Sequence, residues 1–562
     1  MKRFLLIILV TSLAFLTVAC SKPTVDEPDI INDTETPVTD GNDKELSEPV
    51  SDKYPDAAKI LLSDDGITVN GEIIPTDDTA DVYAAHDIVY YHDGEDFTYG
   101  AGDENDAHSA EEADAHTVVH IGKAGTYVIS GTLSRGQIAV DLGDDAKDDP
   151  EAVVALVLNN ADITCTVAPA VIFYKVYECA DADAPTKDVD TTAAGANVII
   201  ADGTVNTLNG SYVAKIYKSV TLSEDGTTVT DSKKLHKYDG ALYSKMTMNI
   251  YGEENGDGVL NVNAENEGID SEMHLTVWGG EINIVSGDDG INTNEDGVSV
   301  TTVNGGNIHI RVDGKQGEGD GIDSNGWLVI NGGTVNAEAC STSGDAGIDS
   351  DMGIYLNGGT VVASGNMYDK IDGGEQNYIV FTFRERQSGG KTYTIKTADG
   401  DTVIECVPTN DFTYLVVSAP ELMEGEYTLE CEGEKLLVST ASDGGFGGMR
   451  MPDGMGEPPE MPDGMVEPPE MPEGMNEPPE MPDGMGEPPE MPDGMGEPPE
   501  MPDGMGEPPE MPDGMNEPPE KPDGEGNFGE FRGGRGKFQP DESDATEKFT
   551  VINGGNFFTV IG

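Results

Sequence analysis

Gly268-Ile269-Asp270-Ser271 is the string on which the fold turns, because it comes back. It returns as Gly290-Ile291-Asn292-Thr293, Gly321-Ile322-Asp323-Ser324 and Gly347-Ile348-Asp349-Ser350, with a worn copy at Lys370-Ile371-Asp372-Gly373. A second string recurs out of phase: Trp278-Gly279-Gly280, Asn304-Gly305-Gly306, Asn331-Gly332-Gly333 and Asn357-Gly358-Gly359. Its glycine pairs stand 26, 27 and 26 residues apart, and in three of the four copies the first string precedes the second by the same 11 residues. A period in the twenties that holds several short β-rich strings is one coil of a parallel β-helix. Each coil turns at glycine, where positive φ costs little, and stacks its strands on the next. Leucine-rich repeats have a similar length, but their leucine framework and asparagine ladder are absent, and a propeller blade needs about 40 residues. Looser copies at Gly240-Ala241-Leu242-Tyr243 and Ala170-Val171-Ile172-Phe173 extend the series backwards.

Outward from this repeat the composition changes in both directions. Met1-Lys2-Arg3, the apolar run Phe4 to Ala19 and the ending Thr17-Val18-Ala19-Cys20 read as a signal peptide over 1–20 that closes in a lipobox, with Cys20 as the lipidated residue. Thr17 stands where such motifs usually carry leucine, and the apolar run is shorter than the ~20 residues that span a bilayer. An export signal with an incidental cysteine is the other reading. Residues 21–55 are rich in Asp, Glu, Thr and Pro and read as a flexible stalk, followed by a mixed lead-in over 56–116. The repeat body spans 117–375 and a β cap 376–440. Over 441–540 runs a low-complexity tract in which a Met-Pro-rich ten-residue unit occurs seven times between Met451 and Glu520. Its proline density predicts disorder or extended polyproline II, on the order of 200 Å if fully stretched. The β-rich end, 541–562, is expected to return to the cap as a terminal strand segment.

With 107 acidic against 31 basic residues the net charge is −76, which repels nucleic acid and anionic lipid headgroups. Any contact with a membrane is therefore expected through the lipid anchor alone, on the outer face of a bacterial cytoplasmic membrane. Stacked in register, Asp270, Asn292, Asp323, Asp349 and Asp372 form a column with ~4.8 Å between rungs. Two carboxylates at that distance repel by ~3.5 kcal/mol at an effective dielectric near 20. Calcium relieves such a conflict, since it takes oxygen ligands and is abundant outside cells. Asp288, Asp289, Asp320 and Asp345 lie three or four residues upstream of the column and are expected to complete the shell. The competing reading makes these aspartates solvated Asx turns. Cys406 and Cys431 flank a β meander and are the disulfide candidates, whereas Cys165, Cys179 and Cys340 have no clear partner.

Gly125-Thr126-Tyr127-Val128-Ile129-Ser130-Gly131-Thr132-Leu133, Gln137-Ile138-Ala139-Val140-Asp141, Leu156 to Thr164, Ala201 to Leu208 and the Gly-Ile-Asp-Ser coils together carry a resemblance. They resemble the clostridial cellulose- and polygalacturonate-binding β-helix domain, over roughly 117–440 and the last dozen residues. The resemblance implies a right-handed, pectate-lyase-like helix, bound calcium and non-catalytic binding of plant cell-wall polysaccharide. It leaves the Met-Pro tract unexplained, and the segments 180–197 and 218–237 read as insertions. Calcium can bridge protein and sugar carboxylates, which favours an acidic glycan such as pectin. Cellulose needs exposed aromatic platforms, for which Trp278 and Trp327 are the weak candidates. A monomer is expected.

Two other function classes stay open on sequence. A pectate lyase needs a basic residue to take the proton α to the uronate carboxyl. Between Gly240 and Gly374 only Lys245, Arg311, Lys315 and Lys370 are basic, and none belongs to a repeating motif. Gly287-Asp288-Asp289-Gly290 has the look of a polygalacturonase carboxylate pair, without the Gly-His-Gly and Arg-Ile-Lys motifs that accompany one. A structural or adhesive surface protein, with calcium only stapling the coils, is the third class.

Overall fold

Strings as short as Ile322–Ser324 cannot stand as isolated strands, and the structure pairs each with its counterpart in the next repeat. The computed structural model describes residues 53–442 and 545–561. Almost all of its regular structure is β, arranged largely in parallel ladders. Each circuit of the chain contributes one strand to each of three ladders. The circuit Gly240–Ser244, Met248–Gly252 and Val259–Ala264 is followed by Glu267–Ser271, Leu275–Val277 and Glu281–Ser286. Then come Ile291–Thr293, Val300–Val303 and Asn307–Val312, and Ile322–Ser324, Trp327–Ile330 and Thr334–Glu338. Corresponding strands pair in parallel throughout.

Strand alternation decides what the ladders enclose. Leu242, Ile269, Ile291 and Ile322 share one register row. Ile250, Val277, Val303 and Ile330 share a second, and Leu260, Ile282, Ile308 and Val335 a third. All are buried in one continuous apolar core, each side chain contributing roughly 1.5–3 kcal/mol by leaving water. The Gly-Gly strings make the corner between the second and third strands of each circuit. Gly306 has φ 90°, and a Cβ on Gly305 would stand 2.8 Å from the Trp278 carbonyl oxygen. Both glycines are needed for different reasons: the second for its backbone angle, the first for the approach of the circuit below.

Two additions depart from this plan. Between Val205–Gly210 and Gly240–Ser244 the chain leaves as an antiparallel hairpin, Val213–Leu222 with Val229–Tyr238, which contains the 218–237 segment. After Ile371–Gly374 a second apolar core forms around Phe381, Tyr393, Phe412, Leu415, Phe549 and Phe558. The final strand Gly555–Val560 runs parallel to Tyr378–Gln387 and antiparallel to Val438–Thr440. In this cap Tyr393 pairs with Cys406 on one side and with Cys431 on the other. Two strand spacings, ~9.6 Å, therefore separate the cysteines, beyond the ~7 Å that a disulfide bridges. Both are free thiols, which corrects the expected pairing. Cys20, most of the stalk and the Met-Pro tract lie outside the described residues.

Candidate metal centre

Residues next to the buried isoleucines must face away from the core, and on one ladder several of these are acidic. Tyr243, Asp270, Asn292 and Asp323 form one row. Asp349 extends it, its backbone N–H donating to the Ile322 carbonyl at 2.7 Å. Three residues earlier in each circuit runs a second acidic row, Glu267, Asp289 and Asp320. Its rungs are tied by Gly268 N–H to the Asp289 carbonyl and Gly290 N–H to the Asp320 carbonyl. The rows converge in two clusters, Asp239–Glu267–Asp270 and Asp320–Asp323–Asp349, each with ligand oxygens within 4.8 Å of one another.

Asn292 separates the clusters. Its Nδ2 donates to Glu267 Oε1 at 3.1 Å and to Asn294 Oδ1 at 3.2 Å, while Asn294 Nδ2 donates to Asp270 Oδ1 at 2.6 Å. Farther along, Asp289 Oδ1 accepts from Asp320 N–H at 2.7 Å and Asp320 Oδ1 from Ala346 N–H at 2.5 Å. Each of these acids caps the next circuit with one carboxylate oxygen. Asp345 ties its loop to that of the circuit before, accepting from Gly319 N–H at 2.7 Å, and also accepts from the Ser343 hydroxyl.

Burial makes the column electrostatically uncomfortable. Asp270 is 0% and Glu267 5% exposed, so neither is a solvated Asx turn. Glu267 Oε2, Asp270 Oδ2, Asn292 Oδ1 and Asp349 Oδ1 are buried with no hydrogen-bond partner. An ionised oxygen so placed costs several kcal/mol unless a cation meets it. Burial, then the neighbouring carboxylates, push Asp323 up to about 7 and Asp349 to about 6; Asp288 rises to about 6 from burial and then Glu318. Glu267, Asp270, Asp289 and Asp320 are pushed well above the carboxylate range, first by burial and then by neighbouring acids. An all-oxygen set with orphaned, half-dry carboxylates fits a hard divalent cation.

The clusters differ in one respect. Lys237, at the end of the 213–238 hairpin, places Nζ 2.6 Å from Asp239 Oδ2. Burial opposes its charge, but Asp239, then Glu267 and Asp270, outweigh it and hold its pKa above the ordinary lysine value. Among the described residues no lysine or arginine makes an ion pair with Asp320, Asp323 or Asp349.

The structure revises the expected shell. Asp372 leaves it, because Ile371–Gly374 pairs with Gly353–Leu356 on a different ladder, and its carboxylate lies 3.5 Å from Lys370 Nζ. Asp288, Asp289 and Asp345 flank the clusters rather than join them. Asp239 and Glu267 were missed by sequence reasoning, although an acid three residues before the column residue is repeated at Glu267, Asp289 and Asp320. Trp278 and Trp327 belong to the neighbouring ladder. Trp278 is 37% exposed and stacks on Tyr251 with ring centroids 6.0 Å apart and planes at 5°. Its Nε1–H donates to Asn249 Oδ1 at 3.1 Å.

Comparison with known proteins adds the family. No curated protein matches the chain. A solved structure, that of the polysaccharide lyase-like protein from C. thermocellum as a gadolinium derivative, is similar at 22% identity with a TM-score of 0.29, covering 54% of this chain and 93% of that one. Residues 115–444, more than half the chain and all of the acidic column, match the model of one protein family. The chain belongs to the family of carbohydrate-binding domain-containing proteins.

Proposed function

We propose that the stacked circuits form a right-handed parallel β-helix that binds acidic polysaccharide, of the polygalacturonate type, through calcium and without catalysis. The observation that carries this reading is the set of buried, unpartnered carboxylate and amide oxygens along one ladder. Asp320, Asp323 and Asp349 would hold the ion, which supplies positive charge that a −76 protein otherwise lacks for a uronate carboxylate. Family membership supports a glycan as the ligand. The Tyr251–Trp278 stack lies on another ladder and is the place where a neutral glucan such as cellulose would find an aromatic surface. A lipid at Cys20 would keep the molecule at the cell surface.

One observation favours a lyase instead. Lys245, one rung before Glu272, lies 5.3 Å from the Tyr238 ring centroid, and burial lowers its pKa. Lys237 is nearer the carboxylates, but its ion pair keeps the proton it would need to lose. Binding is tested by retention on immobilised polygalacturonate. Wild-type protein should bind in calcium and release in chelator, and Asp323→Ala/Asp349→Ala should lose retention. Unsaturated products absorbing in the ultraviolet, lost in Lys245→Ala, would replace binding with elimination. Equal retention of the double variant would move the glycan away from this column.

A further inference from the structure

The 213–238 hairpin has no counterpart in later circuits. From Ala264 the chain passes to Glu267 almost directly, and Ser286 to Ile291 and Val312 to Ile322 are joined by loops without strands. The hairpin therefore delivers something to the first acidic cluster that the second does not receive. What it delivers is Lys237. Its side chain is 44% exposed, whereas that of Asp239 is 5% exposed, so the ammonium enters from the solvent side and closes over the carboxylate. Beyond it opens a cleft of about 230 Å³ lined by Lys234, Glu272, Asn294, Glu295 and Asp296.

We infer that Lys237 is a built-in cation for the Asp239–Glu267–Asp270 cluster, so that the protein takes one divalent ion, at Asp320–Asp323–Asp349, and a second site opens only when Lys237 is removed. The inference rests on the calcium reading above for the second cluster but not for the first. An ammonium 2.6 Å from Asp239 Oδ2 occupies the side from which an ion would approach, and its charge repels a divalent cation drawn to the same oxygens. Amide donors reinforce the effect. Asn292 and Asn294 each spend an N–H on this cluster, at Glu267 Oε1 and Asp270 Oδ1. Glu267 Oε2 and Asp270 Oδ2 remain buried without a hydrogen-bond partner, and these are the atoms a second ion would reach once the lysine is gone. Among the described residues neither an ammonium nor a side-chain amide bonds to the other cluster, which keeps Asp349 Oδ1 unpartnered.

The test is the number of tightly bound calcium ions per full-length chain, by equilibrium dialysis in about 0.15 M salt, where exposed carboxylates are screened. Wild-type protein should bind one, Asp323→Asn none, Lys237→Met two and Lys237→Arg one. Glu267→Gln in the otherwise wild-type chain should still bind one, and this arm decides the question even if Lys237→Met does not fold. Two ions in the wild type, a loss on Glu267→Gln, or a folded Lys237→Met that stays at one would each overturn the inference. No ion in the wild type but one in Lys237→Met would uphold the role of Lys237 while sinking the calcium reading for the second cluster. No ion in either would sink both.

Discussion

The two carboxylate clusters are built on the same ladder from the same repeated string, yet one carries its own cation and the other does not. Asp239, Glu267 and Asp270 sit against Lys237 and two side-chain amides. Asp320, Asp323 and Asp349 sit against backbone and one another. The difference teaches how a stacked fold tolerates a column of like charges. At one end a local excursion of the chain neutralises it, and at the other the charge is left for something from outside. Where a repeat is interrupted is thus as informative as the repeat.

The largest effect expected on this comparison is one that ignores it. Ile291 lies on the rung between the clusters and is fully buried. Ile291→Ala should cost about 2–5 kcal/mol, read by urea denaturation, by the same amount with and without calcium. A cost that appears only in calcium would mean that packing and metal binding are one event. Next comes removal of the ion. At free calcium 100 times Kd, one site adds about 2.7 kcal/mol, so chelation should lower the melting temperature by several degrees in wild-type protein and not in Asp323→Asn.

The metal-free protein should also respond to pH with a defined sign. Folding raises Asp323 to about 7 and Asp349 and Asp288 to about 6, above their ordinary value of 3.8. The folded state then holds protons that the unfolded state has lost. Stability is fully present below about pH 4 and is lost as pH rises through 6 to 7. Thermal melts in chelator should fall over that window, and calcium should restore most where the fall is greatest. A metal-free melt that rises from pH 4 to 7 would show that these carboxylates are not in conflict.

Asp239→Asn sharpens the other side. It leaves Lys237 without its closest partner and should cost about 1–3 kcal/mol at neutral pH, with calcium unable to compensate. Smallest of all, Trp278→Ala on the neighbouring ladder should change stability by roughly 1 kcal/mol or less and leave retention on polygalacturonate intact. Lost retention would place the glycan on the Tyr251–Trp278 surface instead.

Much of this arrangement was legible because it repeats. The glycine pairs mark the corners, and the isoleucine of each Gly-Ile-Asp string marks the core row. What did not repeat was hidden. Lys237 lies outside the repeat, on a hairpin whose return to the ladder nothing in the local sequence announces. Glu267 did repeat the place of Asp289 and Asp320, three residues before the column, but was not singled out. Asp372 copied the string without its phase and entered a different ladder, since a short motif fixes local conformation and not the ladder its strand joins. The cysteine pair failed on register: two residues flanking a meander share a strand neighbour, Tyr393, and are held apart by it.

Anomalous scattering from a crystal grown in calcium distinguishes most directly an ion held on one cluster alone from ions held on both. A single strong peak among the carboxylates of Asp320, Asp323 and Asp349, with none beside Lys237 and Asp239, is the expected result. Peaks of equal height at both clusters, or a peak only beside Asp239, Glu267 and Asp270, would contradict it.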